Sequence, residues 1–243
     1  METTTVRSIV SEDFRSAAIF EKYSIDFCCH GNVSLEQACQ ESGAPVEDVR
    51  AQLAILSKEK DVREDSFDAW ELDRLAEYII QTHHRYVRSA IPTLLAHTKK
   101  IAEVHHERHG ELAAIHDIVT GVAEEMTAHM MKEELMLFPY IKKLAVSARG
   151  GIPVQIPPFQ SIQNPIRMME AEHVSAGNGM GNIRKASLQY AIPVDACTTY
   201  RVTYQELQAF ESDLHKHVHL ENNILFPKAI ELERQLFTAS QHD

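Results

Sequence analysis

Two stretches of the chain, HMMKEELMLFP at 129–139 and HVHLENNILFP at 217–227, share the pattern His-x3-Glu-x3-Leu-Phe-Pro. Side chains four residues apart lie on the same face of an α-helix, so each stretch directs one imidazole and one carboxylate toward the same point. A single pair of this kind is also found on exposed helix surfaces. The repetition, with the same apolar residues after each pair, favours a metal site over an exposed surface.

The composition predicts an all-α protein with a sizeable core. The chain has 243 residues with nine glycines and nine prolines, and its strongest periodicity is helical throughout. The formal net charge of -11, without any basic stripe, argues against nucleic acid as the main partner. No apolar run approaches the length of a signal peptide core or a membrane span. We therefore expect a soluble cytoplasmic protein with no membrane partner, whose four cysteines stay mostly reduced.

The N-terminal part, residues 1–60, is predicted to be a small module of short helices. Its helices are expected to start near Ser11, Ser34 and Pro45, where capping or first-turn residues precede apolar positions. The charged run at 61–66 is the predicted linker to the rest of the chain.

A loop in this module carries Cys28, Cys29 and His30. The two thiols could bind iron or exchange disulfides with a partner, or they could be two small loop residues of which one is buried. Cys39 and Cys197 fall on predicted helices and are expected to be buried apolar residues.

Residues 67–243 are predicted to form four long helices in an up-down-up-down bundle. Proline inside a helical pattern removes a backbone donor, so we expect a kink at Pro92 and a kink or break one turn past each repeated glutamate. The predicted helices run from about 67 to the high nineties, 111 to 144, 166 to 190 and 195 to 236.

Distances from the predicted turns identify which histidines share a level in the bundle. In antiparallel neighbours, residues at the same level are equidistant from the turn between them. The midpoints of the pairs 84/129, 133/173 and 173/217 fall near 106, 153 and 195, each at an independently predicted turn. One layer with two metal positions is therefore predicted from six side chains: His84, His129, Glu133, His173, His217 and Glu221.

The remaining histidines are predicted to lie outside this layer. His105 and His106 are about 30 Å along the helix from His84 and belong, with His109, to the far turn. His215 and His219 point to other faces of their helix, whereas His83 could lie next to the ligands. Two carboxylates, Glu125 and Glu172, are candidates for supporting the ligands or an access path.

The chain resembles the repair-of-iron-centres family, diiron proteins with an N-terminal Cys-Cys module and a hemerythrin-like domain. The resemblance covers nearly the whole length and rests on the six predicted ligands, Asp26-Phe-Cys28-Cys29, and the strings HMMKEE, LENNILFP and ACTT. It implies a non-haem centre of two iron ions, oxo- and carboxylate-bridged, with Glu125 and Glu172 associated with it. The Cys-Cys-Gly-Gly of the family reads Cys28-Cys29-His30-Gly31 here.

The resemblance implies repair of iron-sulfur clusters damaged by nitric oxide or oxidants. The first hypothesis is that the protein supplies iron to damaged iron-sulfur proteins, with Cys28 and Cys29 as a candidate docking or transfer point. The alternatives are nitric oxide reduction at the two irons, or binding and sensing of oxygen or nitric oxide. Bundle and ligands serve all three, so enzymatic activity stays open. A monomer and a homodimer are both left open.

Overall fold

The computed structural model describes residues 5–28, 30–58, 67–150 and 154–239. Within these ranges the chain forms helices and no β-strand, apart from one isolated bridge between Thr5 and Ser34. The predicted all-α fold class is therefore confirmed. The predicted linker at 61–66 and Cys29 lie outside the described residues.

Four short helices make up the N-terminal part, and their ends have ordinary local causes. The first was not predicted: Thr5 and Ser8 form a reciprocal capping box before it. The third begins as predicted, with the backbone N–H of Gln37 donating to Ser34 Oγ at 3.2 Å, and it ends at Gly43, whose φ is 71°. The four are α1 (Val6–Glu12), α2 (Ser16–Lys22), α3 (Leu35–Ser42) and α4 (Val46–Lys58).

Four long helices form the predicted bundle, and three of them contain a π-helical turn. Helix α5 (72–105) consists of Leu72–Ile79, the π turn Ile80–His84 and Arg85–His105. Helix α6 (111–148) consists of Glu111–Lys132, the π turn Glu133–Leu137 and Phe138–Ala148. Helix α7 is the uninterrupted Gln163–Ala186. Helix α8 (198–239) consists of Thr198–His219, the π turn Leu220–Leu225 and Phe226–Ala239.

The order of apolar residues along each helix shows that neighbouring helices run in opposite directions. Helices α5 and α7 each pack against both α6 and α8. One apolar cluster holds the later part of α5, the first part of α6, the later part of α7 and the first part of α8, together with the N-terminal helices. A second cluster holds the opposite parts of the same four helices. On every helix the predicted ligands lie where residues of the first cluster give way to residues of the second.

The N-terminal helices share the first apolar cluster with the bundle. Phe27 packs its ring against the rings of His215 and His219, at centroid distances of 5.8 and 6.2 Å, and Phe14 packs on His219 at 5.3 Å. These contacts seat the cysteine loop on helix α8. The boundaries 1–60 and 67–243 stay a prediction.

The turn between α7 and α8 begins earlier than expected. Helix α7 ends at Ala186 instead of Tyr190, because Leu188, Gln189 and Tyr190 have left-handed φ angles of 51°, 63° and 57°. Tyr190 is buried, and its hydroxyl donates to Glu211 Oε2 at 2.9 Å. Among the described residues, none of the helices combines the length and the apolar composition that crossing a bilayer requires.

Candidate metal centre

All six predicted side chains lie in one layer across the bundle, and each has a relative exposure of 0%. Helices α5 and α7 contribute one histidine each, whereas α6 and α8 each contribute a histidine and a glutamate from the repeated pattern. The layer contains His84, His129, Glu133, His173, His217 and Glu221.

The four imidazoles form two facing pairs. The Nε2 atoms of His84 and His217 lie 3.2 Å apart, and those of His129 and His173 lie 3.0 Å apart. Two nitrogens bound to one ion, each about 2.1 Å from it, lie about 3 Å apart. Each pair therefore has the separation expected of two ligands on one ion.

The two carboxylates lie between the histidine pairs. Glu221 places Oε1 2.9 Å from His217 Nε2 and Oε2 3.1 Å from His173 Nε2, so its two oxygens face different pairs. Glu133 Oε2 is 3.3 Å from His84 Nε2 and 3.2 Å from His129 Nε2. Both carboxylates are thus placed to contact ions at both positions.

The chemistry of the layer fits cations. Neither oxygen of Glu133, nor Oε2 of Glu221, has a hydrogen bond of good geometry among the described residues, although all three are buried. Burying two carboxylates beside each other is costly unless positive charge offsets it. Mixed imidazole and carboxylate ligands suit iron, manganese and zinc.

In the metal-free protein, protons supply part of the missing positive charge. Burial disfavours protonation of His84, but the nearby carboxylates of Glu133 and Glu221 outweigh it and raise its pKa to about 10. Burial acts in the same way on His129, and attraction to Glu133 raises its pKa to about 9. Burial lowers the pKa of His217. Metal binding must therefore displace protons from this layer.

Three of the four imidazoles have a partner for their outer nitrogen among the residues that the structure describes. His84 Nδ1 is 2.7 Å from Glu134 Oε1, and His129 Nδ1 is 2.9 Å from Glu172 Oε2. His173 Nδ1 is 2.9 Å from Asn222 Oδ1. Such partners fix the tautomer and the orientation of a ligand ring. Glu134 and Asn222 were missed in the sequence, although each directly follows a repeated glutamate.

The repeated phenylalanines explain why the apolar residues recur with the His-x3-Glu pattern. Phe138 stacks on His84 with centroids 5.6 Å apart and planes at 19°, and Phe226 stacks on His173 with centroids 6.1 Å apart and planes at 2°. Each phenylalanine therefore holds the ring of a histidine on a different helix.

The repeated prolines do not break their helices, which corrects the expectation of a break. A π turn lies directly before Phe138-Pro139 and another directly before Phe226-Pro227, and the helix continues through both. The irregularity begins at or next to the glutamate instead of one turn past it. A third π turn ends at His84. Such turns are frequent at functional sites because they shift side chains out of the regular helical register.

The other candidates occupy three different places. Glu172 contacts His129 and pairs with Lys132, whereas Glu125 is exposed and accepts from Ser175 Oγ at 2.9 Å. Cys28 is buried, and its carbonyl accepts from Asn222 Nδ2 at 3.3 Å.

The histidines near the far turn stay away from the layer. His105 Nε2 lies 3.2 Å from Cys197 Sγ, and His109 Nε2 lies 3.1 Å from Asp195 Oδ1. His106 contacts the carbonyl of Glu103. Cys197 is exposed and caps the start of α8, so the expectation of a buried residue within a helix was wrong, whereas Cys39 is buried as expected. Near the layer, His215 bonds Glu21 and His219 bonds Asn223, while His83 stacks on His217.

Two family models match the chain. The model described as "Hemerythrin HHE cation binding domain" matches residues 75–229, which include all six side chains of the layer. A second model, described as "Domain of Unknown function (DUF542)", matches residues 2–57. The layer therefore lies within a cation-binding domain, and the chain has a metal-binding site.

Full-length relatives identify the family more closely. The iron-sulfur cluster repair protein YtfE of Dickeya chrysanthemi is 33% identical over 219 residues, which cover 89% of this chain and 91% of that protein. The chain belongs to the iron-sulfur cluster repair protein family. Further members of this family are the YtfE proteins of Cronobacter sakazakii, 32% identical over 220 residues, and of Escherichia coli O17:K52:H18, 33% identical over 216 residues. The alignments cover 90% and 89% of this chain, and 93% and 91% of those proteins.

Proposed function

We propose that the protein repairs damaged iron-sulfur clusters by supplying iron, and that the layer holds two iron ions as its cargo. The observation that carries the proposal is the sharing of two buried carboxylates by two histidine pairs. In this proposal His84 and His217 hold one ion, His129 and His173 hold the other, and Glu133 and Glu221 contact both. The names of the relatives describe cluster repair, which favours this function over reduction or sensing of nitric oxide or oxygen.

The imidazole and carboxylate ligands suit a protein that donates its iron to an acceptor protein. Imidazole and carboxylate bind several divalent metals, whereas the iron of a cluster is held by thiolates and sulfide. Repair would therefore move iron from nitrogen and oxygen ligands to sulfur ligands on the damaged protein.

The cysteine loop is the proposed point of transfer. The six ligands are fully buried, so an acceptor protein cannot reach them without a relay or a local opening. Cys28 lies next to the layer, because Asn222 joins its carbonyl to the ring of His173. We assign Cys28 and Cys29 to receiving the iron as thiolates and passing it on.

The transfer test mixes the iron-loaded protein without oxygen with an iron-free cluster protein and sulfide. Iron lost from the first protein should reappear in the cluster of the second, as followed by its absorbance. Changing Cys28 and Cys29 to serine should slow the transfer, whereas the exposed Cys197→Ser should leave it unchanged. Equal transfer rates in the unchanged protein, in the double serine variant and in Cys197→Ser would show that the two cysteines have no role in transfer.

A second arm separates repair from gas chemistry. The same iron-loaded protein receives nitric oxide and a reductant in place of the acceptor. Production of nitrous oxide without any transfer of iron in the first arm would replace the proposal by nitric oxide reduction. Damaged iron-sulfur proteins are the proposed partners, and the cytoplasm is the proposed location.

A further inference from the structure

The metal layer has an internal two-fold relation between the halves α5–α6 and α7–α8. His84 corresponds to His173, and the two repeated patterns correspond to each other residue by residue. The relation extends to the surroundings, because Glu134 and Asn222 play the same part for His84 and His173, as Phe138 and Phe226 do. In each half, the second helix thus supports the histidine of the first helix with a polar side chain and a phenylalanine ring.

The two-fold correspondence does not hold for the residues directly before His84 and His173. Glu172, directly before His173, supports His129 through a contact of 2.9 Å with Nδ1. The corresponding residue, directly before His84, is His83. Its ring stacks on His217, with centroids 5.7 Å apart and planes at 11°, and its Nδ1 lies 2.9 Å from Asp213 Oδ1. His83 therefore packs on the ligand that it would support if it were a carboxylate.

As a result, His217 is the one imidazole of the layer whose outer nitrogen has no hydrogen-bond partner among the described residues. Its Nδ1 is buried. Removal of such a partner typically weakens metal binding about 10- to 100-fold, and a buried donor without an acceptor is itself unfavourable. The pair His129 and His173 has two outer partners, whereas the pair His84 and His217 has one.

We propose that the two metal positions are unequal, and that the ion held by His84 and His217 is bound more weakly and leaves first. This inference rests on the proposed two-iron site and names the position that supplies the iron. The ion keeps its oxidation state and passes from imidazole and carboxylate ligands to the ligands of the acceptor. The carboxylates and His129 with His173 stay behind with the second ion, so delivery need not unfold the layer.

The test follows release of iron from the two-iron protein to an excess of a ferrous chelator without oxygen. We expect two phases of about one equivalent each, with rates that differ about 10- to 100-fold. In crystals treated until one equivalent is lost, anomalous scattering should locate the remaining ion between His129 and His173. A single phase of two equivalents, or a remaining ion between His84 and His217, would overturn the inequality while leaving the two-iron site intact. A protein that holds fewer than two irons at the start would instead refute the site itself.

Two variants test whether the hydrogen-bond partners of the outer imidazole nitrogens cause the difference between the two release rates. His83→Glu, combined with Asp213→Asn to avoid two adjacent carboxylates, supplies the acceptor that His217 lacks and should slow the fast phase toward the slow one. Glu172→Ala removes the partner of His129 and should speed the slow phase about 10-fold or more. If Glu172→Ala leaves both phases unchanged, the outer partners do not set the release rates and the proposed cause is wrong.

Discussion

His173 and the backbone of Cys28 are joined by one side chain, that of Asn222. Its Oδ1 lies 2.9 Å from His173 Nδ1, and its Nδ2 donates to the carbonyl of Cys28 at 3.3 Å. The adjacent Asn223 donates to the carbonyl of Phe27 at 3.3 Å and lies 2.7 Å from His219 Nδ1, but it contacts no residue of the metal layer through these bonds. Asn222 thus connects the cysteine loop to the metal layer.

Asn222→Ala should weaken metal binding and loosen the cysteine loop together. Loss of the partner of His173 is expected to lower metal affinity about 10- to 100-fold, measured by competition with a chelator. Hydrogen exchange of the backbone at 24–33 should become faster because Cys28 loses its donor. Asn223→Ala is the matched control, and it should loosen the loop without changing the affinity. Equal affinities for both variants would show that Asn222 does not support the site.

Phe226→Leu should lower both stability and metal affinity. The ring is 1% exposed and lies parallel to that of His173, so the smaller side chain leaves the imidazole less constrained. A change of this size in a core typically costs about 1–3 kcal/mol, measured by urea denaturation of the metal-free protein.

Phe210→Leu provides the control for this change. Phe210 is also buried on the same helix but lies in the first apolar cluster, away from the layer. It should lose a similar free energy of unfolding and bind metal as the unchanged protein does. Parallel losses of affinity in both variants would mean that Phe226 acts only through general stability.

Gly179→Ala should destabilise the bundle, whereas Gly181→Ala should not. A Cβ at 179 would lie 2.6 Å from Val122 Cγ2, and the stiff, buried valine on α6 cannot rotate away easily. Overpacking of this kind costs about 1–3 kcal/mol. A Cβ at 181 meets nothing within 4 Å, so alanine there should add up to about 1 kcal/mol through its helix propensity. Denaturation of both variants in urea decides the sign of each effect.

The metal-free protein should lose stability as the pH rises from 7 to 10. The folded-state pKa values of His84 and His129, about 10 and about 9, lie above the value of about 6.5 expected in the unfolded chain. Their contribution is therefore complete below pH 6.5 and is lost as the pH passes through 9 and 10. Melting temperatures across this range should fall for the metal-free protein and change less for the metal-loaded one. An equal fall in both forms would contradict the assignment of these protons to the layer.

Spacing was sufficient to predict the bundle and the six side chains of its layer, because turns at known distances leave few registers for antiparallel helices. His84 and His173 were selected in this way without any motif of their own. The supporting residues were harder to find. Glu134 and Asn222 directly follow the repeated glutamates, but a regular helix would not turn them toward the neighbouring histidines, and the π turns that do so have no signature in the periodicity.

The N-terminal part was predicted less completely for a similar reason. Helix α1 is only seven residues long, and besides its local capping box at Thr5 it depends on burial of Val6 and Val10, which is a tertiary effect. The packing of Phe27 on His215 and His219 could not be read from the sequence either, because the contact joins residues about 190 positions apart. Those two histidines seat the cysteine loop and do not enter the metal layer.

The most direct test of this account is the iron content of the purified protein, measured after loading with excess ferrous iron and removal of unbound metal. The layer predicts two irons per chain, a lower content in His173→Ala and an unchanged content in His105→Ala, since His105 lies at the far turn beside Cys197. One iron per chain, a strong preference for zinc, or equal losses in the two variants would contradict it.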